Sequence, residues 1–186
     1  MTVAEFPASR FLLLPGWLNS DPAHWQSRWE RLHGYRRVEQ DDWLWPRRGD
    51  WMARLDDVVL ESASPAVLVA HSLGCQLAAA WAAHSQHVAR VKAALLVAPP
   101  DTERADMPPN LFSWKPIERR PLPFAGRVVA SDDDPFCATG RTAQMATDWG
   151  CALSMIGPRG HINADSGLGD WPEGHALLRG LIGAWS

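Results

Sequence analysis

The residues best suited to do chemistry lie in one short run, AVLVAHSLGC at positions 66–75. A continuous apolar stretch ends at a serine, and the serine opens an alanine-rich stretch that reads as a helix. Where a strand turns sharply into a helix, the backbone folds back on itself, and only small residues fit two positions before and two after the apex. Ala70 and Gly74 hold those positions around Ser72, giving AxSxG in place of the commoner GxSxG. Such an elbow sets the hydroxyl beside a helix N-terminus, where the Leu73 N–H can donate to a developing oxyanion. The chemistry implied is nucleophilic attack on an acyl carbon. An ordinary serine N-cap is the alternative.

A serine hydroxyl is a poor nucleophile without a base, and the base needs an orienting carboxylate. Two downstream segments supply them in the order nucleophile, acid, base. The run RVVA is followed by Ser131-Asp132-Asp133-Asp134-Pro135, and CALSMI is followed by Gly157-Pro158-Arg159-Gly160-His161. His161 is the candidate base because it follows a glycine-rich turn directly after a strand. Asp134 is preferred as the acid, since the following proline imposes an extended backbone and a fixed turn. Asp133 and Asp132 remain open, and so does a solvated acidic turn. A divalent-cation site would need further oxygen ligands that the sequence does not suggest. His71 precedes the nucleophile, faces away from it in an elbow, and reads as a packing or hydrogen-bonding residue. His24, His33, His84, His87 and His175 read as surface or structural histidines. The second oxyanion donor is expected from Pro15-Gly16-Trp17-Leu18-Asn19-Ser20: Gly16 lets the backbone come close, and the Trp17 N–H is the candidate donor.

Something must hold these loops together, and the pattern of elements supplies it. Apolar strand-like runs alternate with amphipathic stretches, the signature of βαβ units around a parallel sheet. Strands are expected at 11–14, 36–40, 66–70, 91–98, 127–130 and 151–156. Helices are expected from Asp21-Pro22 (cap and first position) to His33, from Trp51 to about Ser62 with Asp50 as cap, after Ser72, over about 138–149, and after Trp171-Pro172. That last helix would bury Leu177, Leu178, Leu181 and Ile182. Residues 99–123, with seven prolines, read as a wrapping excursion. Leu111, Phe112 and Trp114 in it would form a cleft wall or plain covering.

At 186 residues, 46% hydrophobic and 21% charged, the chain suits one domain over 1–186 with a sizeable core. A net charge of −3 without a basic stripe argues against nucleic acid as a partner. The N-terminus MTVAEFPASR lacks the apolar core of a signal peptide, and the run 11–14 is too short to span a bilayer. Cys75, Cys137 and Cys151, odd in number and without CxxC spacing, read as reduced thiols. A cytoplasmic protein without membrane association is expected. Eleven tryptophans beside one tyrosine imply a tryptophan-rich core, with Trp17 and Trp114 as candidates to line an apolar cleft.

Four segments together resemble the small serine hydrolase family of bacterial YdeN-type proteins and retinoblastoma-binding protein 9. They are PGWLNSDPAHWQSRWE at 15–30, AHSLG at 70–74, SDDDPFC at 131–137 and GPRGHINADSGLGDWPEG at 157–174. The resemblance implies a minimal α/β-hydrolase fold: a three-layer α/β/α sandwich, a mostly parallel sheet of about six strands in the order 2-1-3-4-5-6, and no large cap domain. It assigns Ser72 as nucleophile, Asp134 as acid and His161 as base. It makes HINADSG part of the pocket wall through Asn163 and Ser166. Gly16 and Asn19 of the first loop are further candidate substrate-binding residues. The expected activity is hydrolysis of small or medium carboxylic esters, or amides, through an acyl-enzyme on Ser72, with no cofactor or metal. An idle hydrolase fold used as a protein-interaction module, and an acyltransferase using the same triad, are the alternatives.

Overall fold

The computed structural model describes residues 6–183; residues 1–5 of the N-terminal segment read above lie outside the described residues. Six strands form one sheet: β1 (Phe11–Leu14), β2 (Arg36–Arg37), β3 (Ala66–His71), β4 (Val91–Val97), β5 (Ala125–Ala130) and β6 (Ala152–Met155). Their order is β2-β1-β3-β4-β5-β6, and every pairing is parallel. The order is the one the resemblance implied.

A strand buried on both faces has no reason to alternate polar and apolar residues. β3, AVLVAH, is buried along its whole length and lies at the sheet's centre. Its even and odd residues feed separate cores. Leu68 and Ala70 pack with Leu12, Leu14, Leu96 and Val128 under α2 (Arg48–Leu60), α3 (Leu73–His84) and α4 (Thr139–Asp148). Val67 and Val69 pack with Phe11, Leu13, Leu95 and Val129 under α1 (Trp25–His33) and α5 (Pro172–Gly183). The result is a three-layer sandwich without a large cap.

Several element boundaries differ from the sequence reading, each for a local reason. α1 begins at Trp25, because His24 is extended (φ −62°, ψ 141°) and accepts from the Gln26 N–H as its cap. Asp21 instead caps the preceding turn, its carboxylate accepting from the Ala23 and His24 N–H groups. α2 starts two residues before Asp50, which falls in its first turn; the Arg48 N–H is capped by Ser113 Oγ from the excursion. β2 shrinks to two residues. Among the described residues no helix is long and apolar enough to cross a membrane.

Candidate active site

In an all-parallel sheet every strand ends at the same edge, so the loops that follow β1, β3, β5 and β6 open together. At the end of β3, Ser72 adopts φ 53°, ψ −123°, a conformation that L residues avoid. The elbow is possible because nothing bulky stands at Gly74. A Cβ there would lie 2.1 Å from the Leu14 carbonyl oxygen, where α3 crosses β1. Gly16 meets the same constraint from the other side, since a Cβ on it would lie 2.7 Å from Ser72 Cβ.

The three predicted side chains come together. Ser72 Oγ lies 2.7 Å from His161 Nε2, and His161 Nδ1 lies 3.0 and 2.9 Å from the two Asp134 carboxylate oxygens. The carboxylate accepts from Nδ1–H, which leaves Nε2 to accept from the serine hydroxyl. The His161 and Asp134 side chains are only 10% and 5% exposed, so water competes little for these bonds. The Phe136 ring packs edge-on to the His161 imidazole at 4.6 Å, and the Phe136 N–H donates to Asp134 at 2.9 Å.

The other two aspartates have different places. Asp132 is exposed. Asp133 accepts from Ser131 Oγ and from the Gly160 N–H, both at 2.7 Å, tying the acid loop to the base loop. Those two bonds, Ser131 first, hold its carboxyl below the usual carboxylate range.

Trp17 and Leu73 border the cleft on either side of Ser72. Among the described residues their N–H groups have no protein acceptor, whereas the neighbouring Leu18 and Cys75 N–H groups donate to the Trp43 and Ser72 carbonyls. The cleft has a volume of about 690 Å³. Met107, Pro108, Leu111 and Phe136 give it apolar walls, and Asn19, His24 and Asn163 are among its polar members.

Of the remaining predicted binding residues, Gly16, Asn19 and Asn163 line the cleft, and two do not. Trp114 is 1% exposed, packs edge-on to Trp51 and donates its Nε1–H to the Pro46 carbonyl. The turn at Pro109–Trp114 sends Leu111 to the cleft and Trp114 into the core. Ser166 is likewise absent from the cleft wall: its hydroxyl donates to the Arg159 carbonyl and accepts from the Asn163 N–H, shaping the base loop. Asn19 and Asn163 are partly committed as well. The Asn19 side-chain oxygen accepts from Ser20 N–H and from Arg37, and that of Asn163 caps a short turn.

The sequence reading missed His24 as a cleft residue and Gln26 as a support. His24 is buried, and among the described residues its Nε2 has no hydrogen-bond partner. Gln26 donates to both the Leu14 and Val69 carbonyls, clamping β1 to β3 just before their loops. The HWQ tripeptide was visible in the sequence, but only as part of a resemblance.

Fold and site together define an α/β-hydrolase with a Ser-His-Asp arrangement at the carboxyl edge of its sheet. The sequence model of the serine hydrolase family matches residues 11–180, and the chain belongs to that family. Among solved structures it is similar to a YdeN-like hydrolase from Pectobacterium atrosepticum, with 29% identity over 92% of this chain and 89% of that one and a TM-score of 0.80. The ydeN gene product of B. subtilis matches at 20% identity over 93% of this chain and 98% of that one, with a TM-score of 0.70. A thioesterase domain from the curacin biosynthetic pathway shares the fold at 16% identity, covering 98% and 93% of the two chains with a TM-score of 0.61. No curated protein matches the sequence.

Proposed function

We propose that the chain hydrolyses carboxylic esters of small to medium, mainly apolar acyl groups through an acyl-enzyme on Ser72. The supporting observation is the continuous hydrogen-bonded sequence from Ser72 Oγ through His161 to Asp134, opening into an apolar-walled cleft. Ser72 Oγ attacks the acyl carbon as its proton passes to His161 Nε2. The tetrahedral oxyanion accepts from the Trp17 and Leu73 N–H groups, with the N-terminus of α3 adding favourable charge. The same imidazolium then protonates the departing alkoxide, leaving the acyl group on Ser72. In the second half His161 takes a proton from water, which attacks the ester, and serine is released.

The size preference follows from the cleft and its rim. Leu18, Leu44, Trp45, Phe112 and Phe136 are each roughly half exposed. Three of their segments meet at the Leu44 carbonyl, which accepts from Trp17 Nε1 and Asn110 Nδ2. An alkyl chain leaving the cleft therefore meets apolar surface, but among the described residues no large cap encloses a long one.

The test combines labelling with a fluorophosphonate and turnover of p-nitrophenyl acetate, butyrate, octanoate and palmitate. Ser72→Ala is expected to abolish labelling, and Asp134→Asn to cut kcat by on the order of 10⁴, with Asp132→Asn close to wild type. Butyrate or octanoate should give the highest kcat/KM and palmitate the lowest. Undiminished labelling of Ser72→Ala overturns the nucleophile, and a palmitate optimum overturns the size preference.

A further inference from the structure

The loop carrying His161 adopts a shape that its own residues resist. Gly160 has φ +56°, which glycine accepts readily, but Ile162 has φ 49°. A β-branched residue in the left-handed region is strained and persists only when its surroundings over-determine it. The surroundings here are specific. Two successive main-chain carbonyls of the loop are held by buried rings from distant parts of the chain. His71 Nε2 lies 2.9 Å from the His161 carbonyl, and Trp25 Nε1–H donates to the Ile162 carbonyl at 2.8 Å. The Ile162 side chain is fully buried in the core that contains Trp25 and Trp171.

The state of His71 follows from its partner. A carbonyl oxygen only accepts, so Nε2 carries the proton. Burial first, then the neighbouring His24 and His161 imidazoles, push His71 well below the ordinary imidazole range, so the ring is neutral. His24 packs edge-on to it at 4.6 Å, and Trp25 stands perpendicular to it at 6.1 Å. The next residue, Gln26, clamps the ends of β1 and β3 and accepts from Ser20 Oγ. Neighbouring side chains of α1 therefore touch the base loop on one side and, on the other, Ser20 and the strands β1 and β3 that lead to the oxyanion loop and the nucleophile.

We propose that Trp25 and His71 are positioning residues for the base, their two N–H groups fixing the main chain at His161 and Ile162 so that Nε2 meets the Ser72 hydroxyl. The proposal rests on the roles given above to Ser72 and His161. Its energetic logic is that a reacting group misplaced by about 1 Å can lose on the order of 10²-fold in rate.

Three variants test it. Trp25→Phe keeps an aromatic ring and deletes the N–H. His71→Leu deletes the donor, and His71→Gln keeps an N–H at similar reach. Butyrate ester kinetics and the second-order rate of fluorophosphonate labelling are measured on each. Trp25→Phe and His71→Leu should lose about 10- to 100-fold in kcat and in labelling rate, with KM within about twofold. His71→Gln should recover most of the loss. Folded Trp25→Phe with wild-type kcat, or equal losses in His71→Gln and His71→Leu, overturns the proposal. If His71→Leu does not fold, Trp25→Phe decides. Failure of the wild type to label or turn over ester would instead sink the proposed function, which separates the two results.

Discussion

Three consecutive aspartates share one chemistry and occupy three environments, and only their surroundings tell them apart. Asp132 faces solvent, Asp133 ties two loops together, and Asp134 meets His161. The proline after Asp134 was a usable sequence signal, because it restricts the backbone of the residue before it. Asp133 carried no comparable mark, since its partners are the Ser131 hydroxyl and a main-chain N–H brought in from the next loop. Gly16 makes the residue-scale constraint testable. A Cβ there would lie 2.7 Å from Ser72 Cβ and 3.2 Å from Ser72 Oγ, so either the loop or the serine must shift. Gly16→Ala should lower kcat/KM on the butyrate ester by about 10- to 100-fold, approaching the loss of one oxyanion donor. Its melting temperature should stay within a few degrees of wild type. Unchanged kinetics would mean that the loop absorbs the added methyl group without displacing Ser72.

The inner strands β1, β3 and β4 were legible because both their faces are covered, and buried parallel strands write continuous apolar runs. Helix starts were less so. Asp21-Pro22 carries every local mark of a helix start, yet His24 takes the cap one turn later because its ring nitrogen reaches the Gln26 N–H. The tryptophans show a stronger limit. Trp25, Trp29, Trp51, Trp114 and Trp149 are all buried, and each donates its indole N–H to a main-chain carbonyl of a loop or turn. Each ring fills the core while its polar edge pins a loop, a use that depends on carbonyls as many as 141 positions away in sequence and leaves no local pattern. For Trp114 the consequence was an expected cleft residue that is instead core. Contacts between elements can also be probed directly. At Gly74, α3 rides so close to β1 that a Cβ would lie 2.1 Å from the Leu14 oxygen and 2.9 Å from that of Pro15. Neither atom can swing aside, unlike the end of a side chain. Gly74→Ala should cost about 3 kcal/mol and lower the melting temperature by about 6–12 °C. A fall of less than about 2 °C would mean that helix and strand separate more easily than their packing implies.

At the scale of the whole molecule, the block of rings between α1 and the base loop links pH to stability. His24 is held down to about 4 from its ordinary 6.5, by burial above all, and the nearby Asp21 carboxylate opposes that only in part. His71, fully enclosed, is displaced in the same direction. An unfolded chain binds a proton at each of these histidines near pH 6.5, and the native protein does not. Their contribution is therefore complete above about 6.5 and declines as the pH falls towards 4. The slope is about 1.4 kcal/mol per pH unit for each histidine that titrates only when unfolded. His175, also lowered to about 4 by burial, then by His33 and Arg179, adds a background slope of the same sign. The carboxylates act in a lower window. Glu118, drawn to about 2 chiefly by its bond from Arg120, starts to lose its contribution only below its ordinary 4.5. Urea midpoints measured at intervals from pH 7.5 to 4.5 should therefore fall steadily in the wild type. In His24→Asn, whose side-chain oxygen can still cap α1, the fall should be shallower by about one proton's worth, whatever the variant's stability at pH 7.5. Parallel curves for the two proteins would mean that His24 is protonated in the native state at pH 5, and that the packing of its ring against His71 tolerates the charge.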